Sequence, residues 1–209
     1  MGLYESEKPI FVWEGSDNLS PHEILCCTIP NNRLMITAGT ESLITVWKID
    51  KMRSFAPITN LYGHVEPVTC LASSQAYSLI VSGSRDRTAI IWDLNRLTFV
   101  RQLAWSDGQL VHRGPISAIA INDSTGDIAT CDISWLHLWS INGVLIAQID
   151  TFSVTIQQSL MVDSNAMTSS VASNLSQLHI LSVCFSQHNE WDLDEVIITG
   201  ASDGSVAFW

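Results

Sequence analysis

His64, Ser82 and Asp86 are the residue types with which a serine hydrolase works. A serine hydroxyl becomes nucleophilic when a histidine takes its proton and a carboxylate holds that histidine in the right tautomer. The surrounding chain lacks the other parts this chemistry needs. Ser82 sits in VSGSRDR, with no Gly-x-Ser-x-Gly elbow around it, and nothing resembles a prepared oxyanion hole. With the nearby Trp92 the same groups have another use. A buried histidine needs partners for both ring nitrogens, and a hydroxyl, a carboxylate and an indole N–H can close one hydrogen-bond chain around it. Losing Ser82 would then strand its buried partners and destabilise the fold.

The elements that would hold these residues recur along the chain. VSGSRDRTAIIWD (81–93) returns as ITAGTESLITVWK (36–48) and as ITGASDGSVAFW (198–209), each a pair of β-rich runs around a Gly/Ser/Asp turn and closed by tryptophan. Trp47 to Trp92 is 45 residues and Trp92 to Trp139 is 47, close to the period of about 40 to 45 residues of a WD40 propeller blade. Alternating or continuous apolar runs bounded by Gly, Asn, Asp and Pro predict the strands. Residues 1–209 therefore read as an all-β, partial WD40 β-propeller, with a blade end at 9–13 and blades at about 24–62, 67–104, 115–149 and 179–209. About four blades of a seven-bladed ring are expected, an arc whose missing neighbours would leave apolar faces and strand edges exposed. The Ser/Asn/Gln-rich stretch 151–177 reads as a low-complexity inserted loop, or, with Met161, Val162 and Leu175 as anchors, as a partner-binding loop.

In such blades a His of the incoming loop, a Ser or Thr of the second strand, an Asp of the next turn and the Trp of the third strand form a structural tetrad. It maps here to His64, Ser82, Asp86 and Trp92. The other units are decayed: the first keeps Thr37 and Trp47 with Glu41 and Ser20 at the acid and His positions. The third keeps His112, Thr130 and Trp139 with a shorter turn and Asp132 displaced. The fourth has Thr199, Asp203 and Trp209 without an aligned His. His22, His137, His179 and His188 read as scattered, and no His/Cys spacing suits a metal. Gly39, Gly83 and Gly200 share one repeat position, and none belongs to a phosphate-cradling loop. Neither metal nor cofactor is expected.

Composition narrows the partners. With 46% hydrophobic residues the 209-residue chain can bury a core, and no apolar run reaches membrane-span length, so no direct membrane insertion is expected. A net charge of −11 repels nucleic acid and anionic lipid. Cys26, Cys27, Cys70, Cys131 and Cys184 lie in apolar strand patterns and read as free, buried, cytosolic thiols. Protein docking is expected on the face carrying the incoming loops and the turns between second and third strands. The candidates there are Arg85, Arg87, Trp105, His112 and Arg113, with Trp191 on the opposite face, Arg and Trp being enriched at interface hot spots.

The run LYGHVEPVTCLASSQAYSLIVSGSRDRTAIIWDLNRLTFV, with TGDIATCD, LHLWSING and NEWDLDEVIITGASDGSVAFW, resembles the C-terminal WD40 region of BEACH-domain proteins, in the branch of autophagy-linked FYVE protein and lysosomal trafficking regulator. The resemblance implies a non-catalytic interaction module of a cytoplasmic scaffold in vesicle or lysosomal trafficking or selective autophagy. Its partners would be trafficking or autophagy proteins and an adjoining BEACH module. Any peripheral attachment to endosomal, lysosomal or autophagic membranes would come through other domains. A WD40 adaptor or substrate receptor in another complex, such as a ubiquitin ligase, is the alternative.

Overall fold

Regular β pairing organises the computed structural model, which describes residues 23–50, 55–106, 109–151, 179–186 and 195–209. The blade end at 9–13 and the insertion beyond Thr151 therefore lie outside the described residues, as do Ser20, His22, Asp107, His188 and Trp191. Blade one is β1 (Ile24–Asn31), β2 (Leu34–Gly39), β3 (Ile44–Ile49) and β4 (Phe55–Leu61). Blade two is β5 (Val68–Ser74), β6 (Leu79–Ser84), β7 (Ala89–Asp93) and β8 (Thr98–Leu103). The following segment contains a small antiparallel ribbon, β9 (Trp105–Ser106) with β10 (Gln109–Leu110). Blade three comprises β11 (Ile116–Ile121), β12 (Ile128–Asp132), β13 (Trp135–Trp139) and β14 (Leu145–Asp150), and blade four β15 (Ile180–Phe185), β16 (Ile197–Ala201) and β17 (Val206–Phe208).

Each blade is an antiparallel meander whose neighbours in sequence are neighbours in the sheet. Short polar side chains close its turns. Asn31 Oδ1 accepts the Arg33 amide, Asp93 Oδ1 accepts the Asn95 and Arg96 amides, and Asn122 Oδ1 accepts the Ser124 amide, each offering the backbone a local alternative to the ladder. The first strands of successive blades lie side by side. At Gly83 this approach is close: a Cβ there would stand 2.7 Å from both Cys70 Sγ and Ile116 Cγ2.

The core sits between blades. Alternation along β6 and β7 sends Ile80, Ile90 and Trp92 toward Ile36, Ile44 and Val46 of blade one. It sends Val81, Ala89 and Ile91 toward Ile116, Ile128 and Trp139 of blade three. Blade two is thus buried on both faces, which is why its strands read as continuous apolar runs. Blade three meets Ile180 and Ile197 of blade four through Ala129, Cys131 and Leu136. Each buried aliphatic side chain contributes about 1.5 to 3 kcal/mol, so the blade contacts carry the stability.

The same alternation corrects the cysteine expectation. Cys131 is buried, Cys26 and Cys70 are half-buried, but Cys27 and Cys184 are exposed. Cys26 packs toward blade two, with Sγ near the Val68 carbonyl, so Cys27 points from the other side of β1. Val183 and Phe185 pack against blade three, and Cys184 between them faces away. Burial pushes the Cys26 and Cys70 thiols up to about 12 and Cys131 higher still.

Candidate functional site: the blade braces and the face they carry

One bond recurs in all four described blades. The tryptophan Nε1 donates to a hydroxyl on the second strand: Trp47 to Thr37 at 2.8 Å, Trp92 to Ser82 at 2.9 Å, Trp139 to Thr130 at 2.9 Å and Trp209 to Thr199 at 2.8 Å. The indole can then be buried without stranding its donor.

Blade two extends this bond into a continuous chain. His64, from the loop before β5, places Nε2 2.8 Å from Ser82 Oγ and Nδ1 3.0 Å from Asp86 Oδ2. Asp86 Oδ2 also accepts the Val65 amide, while Oδ1 accepts the Thr88 amide and hydroxyl at 2.9 and 2.6 Å. Burial pushes the Asp86 carboxyl up, but the bonds from His64, Thr88 and Val65 outweigh it and hold it down to about 2. Ser82 is wholly buried behind Trp92, so this His–Ser–Asp constellation has no surface on which a substrate could meet the hydroxyl. Thr88 was not singled out in the sequence, although its place two residues after Asp86 in SRDRT is the signal of a side-chain-closed turn.

Blade three uses the same parts differently. His112 Nε2 lies 2.8 Å from Thr130 Oγ1, completing a His–Thr–Trp run with Trp139. The β12–β13 connection is one residue shorter: Ser82 pairs with Ile90, whereas Thr130 pairs with His137. It closes over Ile133 and Ser134, with Ile133 at φ 41°, and the acid falls on β12 as Asp132. Its Oδ2 still clamps the incoming loop by accepting the Arg113 and Gly114 amides, but it makes no bond to His112. Asp132 Oδ1 stands instead 3.5 Å from His137 Nδ1, within ion-pair range but outside hydrogen-bond geometry.

His137, expected to be an isolated residue, is therefore part of a buried cluster. Its ring lies 4.8 Å from that of His112 and 6.3 Å from that of Trp135, on which it stacks. His112 Nδ1, Asp132 Oδ1 and both nitrogens of His137 are buried without a hydrogen-bond partner. Burial pushes His112 down to about 3, with His137 adding to the effect, and pushes His137 itself down to about 4. The Arg87 carbonyl favours charge on His112 and the Thr130 carbonyl favours it on His137, though neither reaches hydrogen-bond geometry. Asp132 is pushed up by burial against the pull of its two amides. Among the described residues no group of three or more His, Cys, Asp or Glu is arranged to hold a metal ion.

The docking candidates separate. Arg85, Arg87 and Arg113 are exposed on the turn of blade two and the loop leading into blade three. His112, expected beside them, is not available: it is 1% exposed because its ring serves Thr130 and Trp139. The Trp105 backbone lies in β9, and Trp191 is outside the described residues. The sequence missed Trp135, whose ring carries the Arg113 guanidinium 4.1 Å from its centroid.

A family model described as WD domain, G-beta repeat matches residues 55–93 and 172–209. Over its whole length the chain is 35% identical to human WD repeat- and FYVE domain-containing protein 4. It is 31% identical over 90% of its length to BEACH domain-containing protein A2 of Arabidopsis thaliana and 30% identical over 98% to human Lysosomal-trafficking regulator. The chain spans 6%, 5% and 5% of those three proteins. In structure it is similar to the WD40 repeats of RRP9, with a TM-score of 0.65 at 15% identity, covering 92% of this chain and 49% of that one.

Proposed function

The chain belongs to the WD40 region of BEACH-domain proteins, and from that premise we propose that it is a non-catalytic protein-interaction module of a trafficking scaffold, acting in vesicle or lysosomal traffic or in selective autophagy. The observation that carries the reading is the division of labour on one face. The polar side chains with catalytic potential, His64, Ser82 and Asp86, are spent inward on Trp92, Thr88 and the incoming loop. Arg85, Arg87 and Arg113 remain outside. A rigid scaffold with side chains projecting from its loops is the ordinary arrangement for recognition.

The trafficking assignment leans on a relative whose name is Lysosomal-trafficking regulator. No helix of the described residues is long and apolar enough to cross a membrane, and attachment to endosomal, lysosomal or autophagic membranes would come through other parts of a longer scaffold. We expect the whole chain, carrying a proximity-labelling enzyme, to mark proteins of those membranes. Changing Trp105, Arg85 and Arg87 together to Ala should reduce that marking while leaving the thermal midpoint in place. Equal marking by wild type and the triple variant would rule out this surface, and labelling without vesicle or lysosome proteins would rule out the trafficking role.

A further inference from the structure

On the face carrying the incoming loops and the second-to-third-strand turns of blades two and three, the arginines lie outside while Asp86 and Asp132 turn inward. Arg85, Arg87 and Arg113 are exposed, and among the described residues none of them makes an ion pair. Asp86 lies in the same turn as the first two, yet its side chain is only 7% exposed and both oxygens are committed inward. Asp132, beside Arg113, is wholly buried. Glu66 is the one exposed carboxylate among the described residues of the β4–β5, β6–β7, β8–β11 and β12–β13 connections. A chain of net charge −11 with only 10 basic residues thus gathers three exposed arginines on one face, of which Arg113 alone feels a nearby carboxylate, the buried Asp132.

Two of the three are held for use. The Trp135 ring backs Arg113, which limits its freedom and leaves the planar fork of N–H donors free to take a carboxylate. Arg87 stands at φ 67°, where the equivalent turn of blade four has Gly204 at φ 85°. An arginine in this left-handed conformation is strained, and among the described residues its side chain makes no hydrogen bond or ion pair. The Arg87 backbone approaches His112, so the turn of blade two and the loop carrying Arg113 adjoin. Apolar side chains complete the surface: Val65 is 82% exposed and Ile133 39% exposed, with Ile133 lying over Gly114 beside Arg113.

Resting on the interaction-module reading, we infer that the face formed by Arg85, Arg87, Arg113, Val65, Ile133 and Trp135 docks an acidic protein segment that also carries apolar side chains. Carboxylates take the guanidinium forks, and an aromatic or aliphatic side chain covers Val65 and Ile133. The strongly negative remainder of the chain opposes an anionic membrane as the occupant, because a flat bilayer meets the whole surface while a narrow segment meets only the patch.

The test pans a random peptide display library against the whole chain, with an Arg85→Glu, Arg87→Glu, Arg113→Glu chain as counter-selection. Recovered peptides are then measured by fluorescence anisotropy. Peptides rich in Asp and Glu with at least one Phe, Trp, Leu or Ile are expected, losing affinity about tenfold or more on charge reversal and weakening as salt rises. The thermal midpoints of the two chains should agree. An Arg→Gln triple variant replaces the reversed one if that fails to fold. Recovery of uncharged peptides, equal binding to both chains, or no selection at all overturns the proposal. So does charge-dependent sedimentation with phosphatidylserine vesicles in the absence of acidic peptides, which would make the face a membrane contact. If the reversed chain marks the same cellular proteins as wild type in the proximity experiment, the acidic-segment proposal falls and the interaction module stands. If neither chain marks any, both fall.

Discussion

Blades two and three hold equivalent tryptophans with unequal networks. In blade two every member of the chain Trp92–Ser82–His64–Asp86–Thr88 has a partner. In blade three the run stops at His112, and Asp132 and His137 approach without bonding. The difference follows from a connection one residue shorter, which moves the acid from the turn onto the strand and sets a histidine where blade two has Ile90. A buried polar network is worth having when every member is satisfied; half-satisfied, it is worse than an apolar core.

The largest expected effect separates the two carboxylates. Asp86→Asn should destabilise the chain by about 3 kcal/mol, because an amide cannot accept all four bonds now made to the carboxylate. Asp132→Asn should change stability by less than about 1 kcal/mol or improve it. Its carbonyl can keep the Arg113 and Gly114 amides, its NH2 can face His137, and a desolvated acid is gone. Urea midpoints of the two variants measure this, and equal losses would mean that the two blades are braced alike.

His137→Leu sharpens the comparison by giving blade three the kind of side chain that blade two has at Ile90, and it should stabilise by about 1 to 2 kcal/mol. A lower urea midpoint would show that the buried cluster is satisfied after all.

Acid should distinguish the blades by window. His112 and His137 have folded values of about 3 and 4, below the ordinary 6.5, so the unfolded chain binds their protons first. Stability is therefore lost as pH falls from about 6.5 toward 4. Asp86, held at about 2 against an ordinary 3.8, contributes stability above that ordinary value which is lost between roughly 4 and 2. The raised Asp132 acts in the opposite sense, since the fold takes up its proton more readily than the unfolded chain. Thermal midpoints across pH should show a loss in the upper window that His137→Leu reduces. A profile flat between 6.5 and 4 in the wild type would break the assignment.

The smallest effect concerns the turn. Arg87→Gly should raise stability by up to about 1 kcal/mol by relieving the left-handed backbone, while weakening any acidic ligand of the face. A thermal midpoint that falls would mean the arginine side chain supports the turn.

How much was legible shows residue by residue. Trp92, Ser82, His64 and Asp86 could be aligned from SGSRDRT and IIWD because the repeat places them at fixed offsets on adjacent strands. Thr88 follows the same local rule, closing the turn on Asp86 Oδ1. His137 could have been paired with Thr130 had the shortened turn been used to set the register. The burial of His112 could not be read from the loop sequence LAWSDGQLVHRG, since it depends on β12, β13 and the turn of blade two closing around it. Cys27 and Cys184 looked like core residues because both strand faces were apolar in sequence, and only the packed blades show which face was covered.

The sequence by itself determined the blades: period-two alternation, Asn, Asp and Gly turns, and a tryptophan at each third strand are local properties that force short antiparallel strands. What tertiary structure decided was the fate of each polar group once the strands met, namely that Asp86 and Asp132 turn inward, that His112 meets His137, and that Arg85, Arg87 and Arg113 are left facing out. Those outcomes depend on neighbours supplied by strands and loops distant in the chain, and the cost of burying a charge or a lone pair is set by those neighbours.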